Sequence, residues 1–353
     1  MADRDEPTPE ATVEGIHTDE VTAWFAEHVP EAQPPLAFDL IAGGRSNLTY
    51  AVNDSAGSRW VLRRPPLGHV LATAHDMGRE HRIIAALADT AVPVPTVIGL
   101  SADDSVNGAP FYVMDFVDGP ILRNDEAARL ISPEARVTAT TSMVDVLAEI
   151  HAVDLDAVGL ADLGRHDGYI ERQLKRWQGQ WEKTKTRELP VIDAVHDRLA
   201  ASVPTQGTAT IVHGDYRLDN CILDDDGHVQ AVLDWELCTL GDPLADVGQL
   251  CMYWTQPDDT LVAAPGAPTT VEGFGTREDL LARYGEVSGR DLSEIDYYVA
   301  FGFWKLACIC EGVLKRYQAG VMGGADVSGL VDMFTVHVAN LAAAAATTLD
   351  MDP

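Results

Sequence analysis

A short polar stretch, HGDYRLDN, lies between two apolar runs and extends from His213 to Asn220. Its Asp215 and Asn220 are five residues apart, and a further acid, Asp234, follows in the segment AVLDWE. Between them, ILDDDGHVQAVL alternates around an Asp-Gly turn, a pattern that is typical of a β-hairpin. A hairpin would return the chain so that Asp234 emerges close to the other two residues. We therefore expect three oxygen-bearing side chains to converge.

The chemistry of these side chains indicates one kind of metal. Carboxylate and amide oxygens that leave coordination positions open suit Mg²⁺ when the ion is shared with phosphate oxygens. A closed zinc site is not indicated, because the sequence contains no His/Cys set with the spacing of metal ligands. The pattern thus predicts magnesium-assisted chemistry on a phosphate.

The order of these residues, an Asp in H-x-D, an Asn five positions later and an Asp beyond a hairpin, resembles that of protein kinases. It is more similar to the aminoglycoside-phosphotransferase/choline-kinase family, whose pattern is HGDxxxxN followed by [IL]DW/F[ED], and the similarity extends over residues 36–320. The resemblance implies that Asp215 is the catalytic acid that accepts or orients the substrate hydroxyl. It also implies that Asn220 and Asp234 hold Mg²⁺ and that His213 braces the loop.

Arg217 follows Asp215 by two residues. Many kinases place a cation near the γ-phosphate at this point, and the resemblance implies that role for Arg217. A salt bridge from Arg217 to Asp219 is the alternative, since such pairs are common in polar loops. Both interpretations remain open at the level of sequence.

Glycines occur where a phosphate-binding loop of this family would lie. The segment IAGGRSNLTY offers Gly43 and Gly44, followed by the polar side chains of Ser46 and Asn47. Backbone N–H groups of glycine can approach phosphates closely. The alternative is an ordinary hairpin turn, because the segment is neither a Walker loop nor a GxGxxG motif.

The next strand-like run, RWVLRRPP, lies where the family presents a lysine to the nucleotide phosphates. No lysine occurs before Lys175, so Arg63 occupies the matching place, as in the kinase-like domains fused to acyl-CoA dehydrogenases, which carry a similar VLR. Arginine binds phosphate well but differs from lysine in bulk and hydration. The resemblance implies that Glu80 pairs with Arg63. The alternative for Glu80 is an exposed helical charge that pairs with Arg79 or Arg82.

The segment FYVMDFVDG resembles the hinge of the family. The resemblance implies that the backbone N–H and C=O groups of Asp115, Phe116 and Val117 bind adenine and that Met114 lines the back of the pocket. An apolar strand that ends in a turn would look the same.

Downstream, LGDPLADVG matches a GDPxxD motif of the family. Asp242 and Pro243 are typical of a helix start. The resemblance implies that Asp242 and Asp246 support the catalytic loop and do not react. His151 is expected to end a core helix, without a chemical role.

The elements that must position these residues fall into two groups. Residues 1–35 form an N-terminal extension with one helix, and residues 36–117 alternate with period two, which predicts a small antiparallel sheet with one internal helix. Residues 118–353 carry helical spacing interrupted by a small β insertion. We expect an α+β, bilobal protein-kinase-like fold with a small β lobe for the nucleotide and a larger helical lobe for catalysis and the acceptor.

Composition limits the partners. The net charge of −30 disfavours binding to a nucleic-acid backbone, which requires clustered Lys and Arg. No uninterrupted run of about 18 apolar residues occurs, so a membrane partner is not expected. The five cysteines form no CxxC pair and their odd number argues against a disulfide framework, which indicates a reducing, cytoplasmic location.

Together, these features predict a phosphotransferase that depends on ATP and Mg²⁺ and phosphorylates the hydroxyl of a small molecule. Aminoglycosides, hydroxyacyl compounds, choline-like compounds and sugar alcohols remain open as acceptors. A catalytically silent nucleotide-binding protein of the same fold is the main alternative, supported by the missing lysine. A metal-dependent hydrolase is a third interpretation and would act without a nucleotide.

Overall fold

The computed structural model describes residues 13–42, 47–67, 75–261, 266–320 and 327–352. The chain divides into two compact units. Unit 1 comprises residues 1–88 and 94–117, and unit 2 comprises residues 89–93 and 118–353.

Unit 1 contains a five-stranded sheet in the order β1-β2-β3-β5-β4, in which every neighbouring pair is antiparallel. The predicted strands and helices of this unit are all present. They are α1 (Thr18–His28), β1 (Ala37–Ala42), β2 (Leu48–Asn53), β3 (Arg59–Arg64), α2 (Met77–Leu87), β4 (Val97–Ser101) and β5 (Phe111–Asp115).

The two faces of this sheet have different partners. On one face, Tyr50 and Leu62 lie opposite each other on β2 and β3 and join a buried cluster that includes Trp24 and Phe25 of α1. The helix α1, which sequence analysis assigned to a separate extension, is therefore part of the core of unit 1. Because side chains alternate along a strand, Arg63 faces the other side of the sheet.

Unit 2 is mostly helical, and its predicted helices are confirmed to within a few residues at each end. The helices are α3 (Asp125–Ala128), α4 (Pro133–Ala152), α5 (Tyr169–Thr184), α6 (Pro190–Ala201), α7 (Leu244–Tyr253), α8 (Arg277–Ser288), α9 (Ile295–Gln318) and α10 (Val327–Thr348). The strands are β6 (Thr210–Val212), β7 (Cys221–Leu223), β8 (Val229–Val232) and β9 (Thr239–Gly241). The predicted hairpin is confirmed as β7 and β8, and β6 pairs with β9.

Two glycines allow α7 and α9 to pack closely. A Cβ atom at Gly248 of α7 would lie 2.5 Å from the backbone carbon of Tyr298 on α9. A Cβ atom at Gly302 of α9 would lie 3.3 Å from the sulfur of Met252 on α7. At Gly248 only a residue without a side chain fits, and at Gly302 a Cβ would press on Met252, so the two helix backbones approach each other where α7 passes the catalytic loop.

By length and composition alone, two helical segments could cross a membrane: Ile295–Gln318 and Ser328–Thr348. The apolar window of the first is 78% buried inside the protein, as expected for the central helix of a globular unit, and that of the second is 33% buried. All five cysteines are buried and form no disulfide.

Candidate active site

The loop after β6 is held by a carboxylate of α7. The backbone N–H groups of His213 and Gly214 donate hydrogen bonds to Asp246 Oδ2 and Oδ1, at 2.6 and 2.9 Å. Gly214 has a φ of +83°, a conformation that favours glycine. Burial raises the pKa of Asp246, but the hydrogen bond and charge of His151 and the N–H donors outweigh it, so the net shift is downward. Asp246 thus supports the loop as an anion.

His213 connects this loop to the end of the hairpin. Its Nε2 donates to the carbonyl oxygen of Leu233 at 3.0 Å, and its Nδ1 accepts from the backbone N–H of Asp215 at 3.2 Å. The two bonds are compatible with a neutral ring protonated on Nε2. The imidazole therefore braces the residue before Asp234 against Asp215.

The three predicted residues are brought to one place in unit 2. Asn220 Nδ2 donates to the backbone carbonyl and to Oδ2 of Asp215, at 2.8 and 3.0 Å. The hairpin returns so that the N–H of Leu233 donates to the carbonyl of Asn220 at 2.8 Å, and Asp234 is the next residue. Asp234 adopts a left-handed backbone conformation, with φ 63° and ψ 61°.

Burial and neighbouring positively charged side chains act on the pKa of Asp215 in opposite directions. Burial raises the pKa of the Asp215 carboxyl, and the negative charge of Asp234 adds to this effect. The positive charges of Arg217 and Lys305 act in the opposite direction. A cation bound beside the two acids would offset the repulsion between Asp215 and Asp234.

The donor set fits Mg²⁺. The amide nitrogen of Asn220 is bonded to Asp215, which directs the Oδ1 oxygen away from that residue. This oxygen accepts no hydrogen bond within the described part of the chain and can serve as a ligand with the carboxylate of Asp234. Both ligands are hard oxygens.

Two residues of this site were not predicted. Gln249 Nε2 donates to Asp215 Oδ1 at 3.1 Å. Lys305 Nζ donates to Gln249 Oε1 at 3.1 Å and to the carbonyl of Gly214 at 3.3 Å. Gln249 lies three residues after Asp246 on the same helical face, and Lys305 is the one charge in the apolar run FGFWKLACIC. The helical spacing could have identified Gln249, and the isolated charge could have identified Lys305.

Arg217 lies among acids and an aromatic ring. Its Nη2 is 3.0 Å from Asp219 Oδ2, its Nε is 3.7 Å from Asp215 Oδ2, and its guanidinium lies 4.9 Å from the ring centre of Tyr253. The alternative salt bridge to Asp219 is therefore present. The contact of Arg217 with a γ-phosphate stays a prediction.

In unit 1, Arg63 and Glu80 form a buried ion pair. Arg63 Nε is 2.9 Å from Glu80 Oε2, and the side chains are 12% and 3% exposed. Tyr112 OH donates to the same oxygen at 2.9 Å, and Asn47 Nδ2 donates to Oε1 at 3.1 Å. Thr49 and Tyr112 are the neighbours of Arg63 on β2 and β5, so three adjacent strands present this network to α2.

The glycine loop is only partly described. Gly43, Gly44 and Ser46 lie outside the described residues. The buried amide of Asn47 is used on both sides, since Nδ2 donates to Glu80 and Oδ1 contacts His75 Nδ1 at 2.9 Å. The side chain thus links Glu80 and His75, and its contact with phosphate stays a prediction.

The predicted hinge segment comprises the end of β5 and the residues that follow it. Met114 is buried on β5, but the backbone N–H of Asp115 donates to the carbonyl of Thr96 at 2.9 Å. The N–H of Asp115 is therefore engaged within unit 1, and the contact of the segment Asp115 to Val117 with adenine stays a prediction. The Phe116 ring lies 4.2 Å below the guanidinium of Arg59.

Comparison with known proteins identifies the family. The model of the phosphotransferase enzyme family matches residues 38–285. The chain belongs to this family. It is 39% identical over 281 residues to the mouse protein "Acyl-CoA dehydrogenase family member 10". That match covers 78% of this chain but only 26% of the relative, so the chain spans about a quarter of that protein's length.

Solved structures agree with this assignment. A protein from Ralstonia eutropha, provisionally described as an aminoglycoside phosphotransferase, matches with a TM-score of 0.77 and 31% identity over 94% of this chain and 99% of that one. The GDP complex of aminoglycoside 2′-phosphotransferase-IIIa matches with a TM-score of 0.63 and 14% identity over 93% and 99%. The second similarity concerns the fold alone. The predicted α+β kinase-like fold is confirmed, and the chain is a phosphotransferase by family.

Proposed function

We propose that this phosphotransferase uses ATP and Mg²⁺ and transfers the γ-phosphoryl group to a hydroxyl group of a small molecule. The observation that carries the proposal is the geometry of Asp215, whose carboxylate is held by Asn220 and Gln249 beside the acid Asp234. An oriented carboxylate next to oxygen ligands for a metal is the arrangement that phosphoryl transfer requires.

In this proposal each side chain has one task. The Asp215 carboxylate accepts a hydrogen bond from the acceptor hydroxyl and orients its oxygen for in-line attack. Asn220 Oδ1 and the Asp234 carboxylate would hold Mg²⁺, which neutralises phosphate charge when bound. Arg63 would bind nucleotide phosphates, with Glu80 fixing the guanidinium. Catalysis then consists mainly of positioning and charge stabilisation.

A pocket near the catalytic loop bears on which class of acceptor the protein uses. Next to Asp215, a small pocket in unit 2 is lined by Arg123, Arg217, Tyr253 and Trp254, among others. Asp219 also lines this pocket and pairs with Arg217, which leaves Arg123 as the second cation there and favours an acceptor with an anionic or acyl group over a polycationic aminoglycoside. The similarity to a protein named as an acyl-CoA dehydrogenase points in the same direction. A hydroxyacyl compound is therefore the acceptor class that we place first.

The experiment is a screen for ATP-dependent phosphorylation of hydroxyacyl compounds, sugar alcohols, choline and aminoglycosides, followed by phosphorus NMR and ADP release. We expect a phosphate ester from one class, only when Mg²⁺ is present. The Asp215→Asn variant should lose turnover and keep nucleotide binding, because the amide cannot accept the hydroxyl proton. Full turnover in that variant would refute the role of Asp215.

The silent nucleotide-binding alternative predicts a different result. Its main support is Arg63 in place of lysine, yet Arg63 pairs with the acid that the resemblance assigned to it. A silent protein would bind the nucleotide and release no ADP with any acceptor. A metal-dependent hydrolase would instead turn over substrates without a nucleotide.

A further inference from the structure

Besides Asp246, two polar side chains reach the catalytic loop from the helices α7 and α9. Gln249 of α7 is 6% exposed, and Lys305 of α9 follows the buried Phe303 and Trp304. They form a chain of contacts from Lys305 Nζ to Gln249 Oε1 and from Gln249 Nε2 to Asp215 Oδ1, each 3.1 Å long. A second contact joins Lys305 Nζ to the carbonyl of Gly214 at 3.3 Å.

The hydrogen bonds from Lys305 through Gln249 to Asp215 all donate in the same direction. A lysine ammonium can only donate, so it selects the oxygen of the Gln249 amide. The nitrogen of that amide must then face the other way, toward Asp215, where a carboxylate can only accept. Asp215 and Lys305 therefore select the same orientation of the Gln249 amide from its two ends. Lys305 holds the oxygen end in place, which keeps the nitrogen end fixed against the carboxylate.

The backbone arrangement makes these contacts possible. At Gly302 the nearest atoms to an added Cβ include Met252 Sδ at 3.3 Å and Gln249 Cα at 3.7 Å. The close approach of α9 to α7 therefore occurs one turn before Lys305. With Gly302 directly against the Gln249 backbone, the lysine chain is long enough to reach the Gln249 amide.

We propose that Lys305 is a positioning residue for the catalytic carboxylate and acts through the Gln249 amide and the Gly214 carbonyl. This inference rests on the proposed function of Asp215. Gln249 holds Oδ1 and Asn220 holds Oδ2, so both carboxylate oxygens are fixed from opposite sides. The Gly214 contact fixes the peptide immediately before Asp215. Lys305 does not touch the substrate.

The kinetic test compares Lys305→Met with Lys315→Met, which removes an exposed lysine from the same helix. We expect Lys305→Met to lower kcat about 10- to 100-fold, the range found for groups that orient a reactive side chain, with KM changed less than about threefold. Lys315→Met should behave as the wild type. Lys305→Arg keeps a donor and should recover part of the loss.

The route through Gln249 has its own test. Gln249→Leu should lower kcat to a similar extent, and the double variant Lys305→Met/Gln249→Leu should lose much less than the product of the two single effects. Fully multiplicative losses would show that Lys305 does not act through Gln249. A wild-type kcat in Lys305→Met would overturn the whole inference.

A measurement without turnover separates this inference from the proposed function. In protein labelled with ¹⁵N-glutamine, the side-chain amide signal of Gln249 can be assigned by its loss in Gln249→Leu. We expect slow hydrogen exchange at this amide in the wild type and in Lys315→Met, and fast exchange in Lys305→Met and Lys305→Gln. If no acceptor is ever phosphorylated, the proposed function fails, yet this signal still decides whether Lys305 orders Gln249. An unchanged signal in folded Lys305→Met or Lys305→Gln protein contradicts the inference.

Discussion

Asn220 binds Asp215 twice, through one amide nitrogen that donates to the backbone carbonyl at 2.8 Å and to carboxylate Oδ2 at 3.0 Å. In the proposed function, the same side chain orients the Asp215 carboxylate and would present its own Oδ1 oxygen to a metal ion. One residue thus connects the proposed magnesium site with the group that receives the acceptor hydroxyl.

Replacing Asn220 with Ala should impair both tasks. We expect kcat to fall at least about 100-fold and the Mg²⁺ concentration for half-maximal activity to rise, because one ligand and one donor to Asp215 are lost. Magnesium titrations of ATP turnover would measure both effects. Asn124→Ala, which removes an exposed cap of α3, is the matched control. A variant with normal magnesium dependence would exclude Asn220 as a ligand.

Sequence could predict the residues that belong to local motifs. The spacing from Asp215 to Asn220 and the hairpin that returns Asp234 are local, so a reader of the sequence can place all three. The short elements α3 and β9 were not predicted, because three or four residues show no periodicity.

Contacts across long sequence separations could not be predicted. Lys305 reaches Gln249 only because α7 and α9 pack closely at Gly248 and Gly302, and sequence alone does not reveal which helices are neighbours. His151 was assigned no role, yet its Nε2 lies 3.5 Å from Asp246 Oδ2 across 95 residues of sequence. The contacts of Lys305 and His151 thus depend on tertiary packing, which local sequence patterns do not reveal.

Removing one partner of the Arg63–Glu80 pair should lower the free energy of unfolding more than removing both partners. Arg63→Met leaves the buried Glu80 carboxylate without its cation, and we expect a loss of about 3 kcal/mol in the free energy of unfolding. The double variant Arg63→Met/Glu80→Leu should recover only part of that loss, because the buried charge is gone but Tyr112 OH and Asn47 Nδ2 lose Glu80 as their acceptor. Urea unfolding of the two single variants and the double variant measures this coupling. Additive losses would show that the pair does not interact.

His151 should make stability depend on pH. Burial lowers the pKa of His151, an effect that Asp246 opposes. Below its unfolded pKa of about 6.5 the unfolded chain binds a proton that the folded protein does not, so stability falls as pH falls. The slope from one such group is at most about 1.4 kcal/mol per pH unit. Urea unfolding between pH 7.5 and 5.5, at about equal ionic strength, should therefore show a smaller decline in His151→Gln than in the wild type. Equal declines would exclude this histidine as the cause.

Asp234 combines a chemical role with an unusual backbone conformation, and the two can be separated by substitution. Its φ of 63° lies in the left-handed region, which Gly, Asn and Asp tolerate and which costs other residues about 1–2 kcal/mol. Asp234→Asn and Asp234→Gly should therefore unfold near the wild-type urea concentration, whereas Asp234→Ala should be less stable by about 1 kcal/mol. All three should lose magnesium-dependent turnover, because none retains a carboxylate. If the stable Asn variant kept full activity, the carboxylate would not be a metal ligand, and the ion would have to be held by other oxygens.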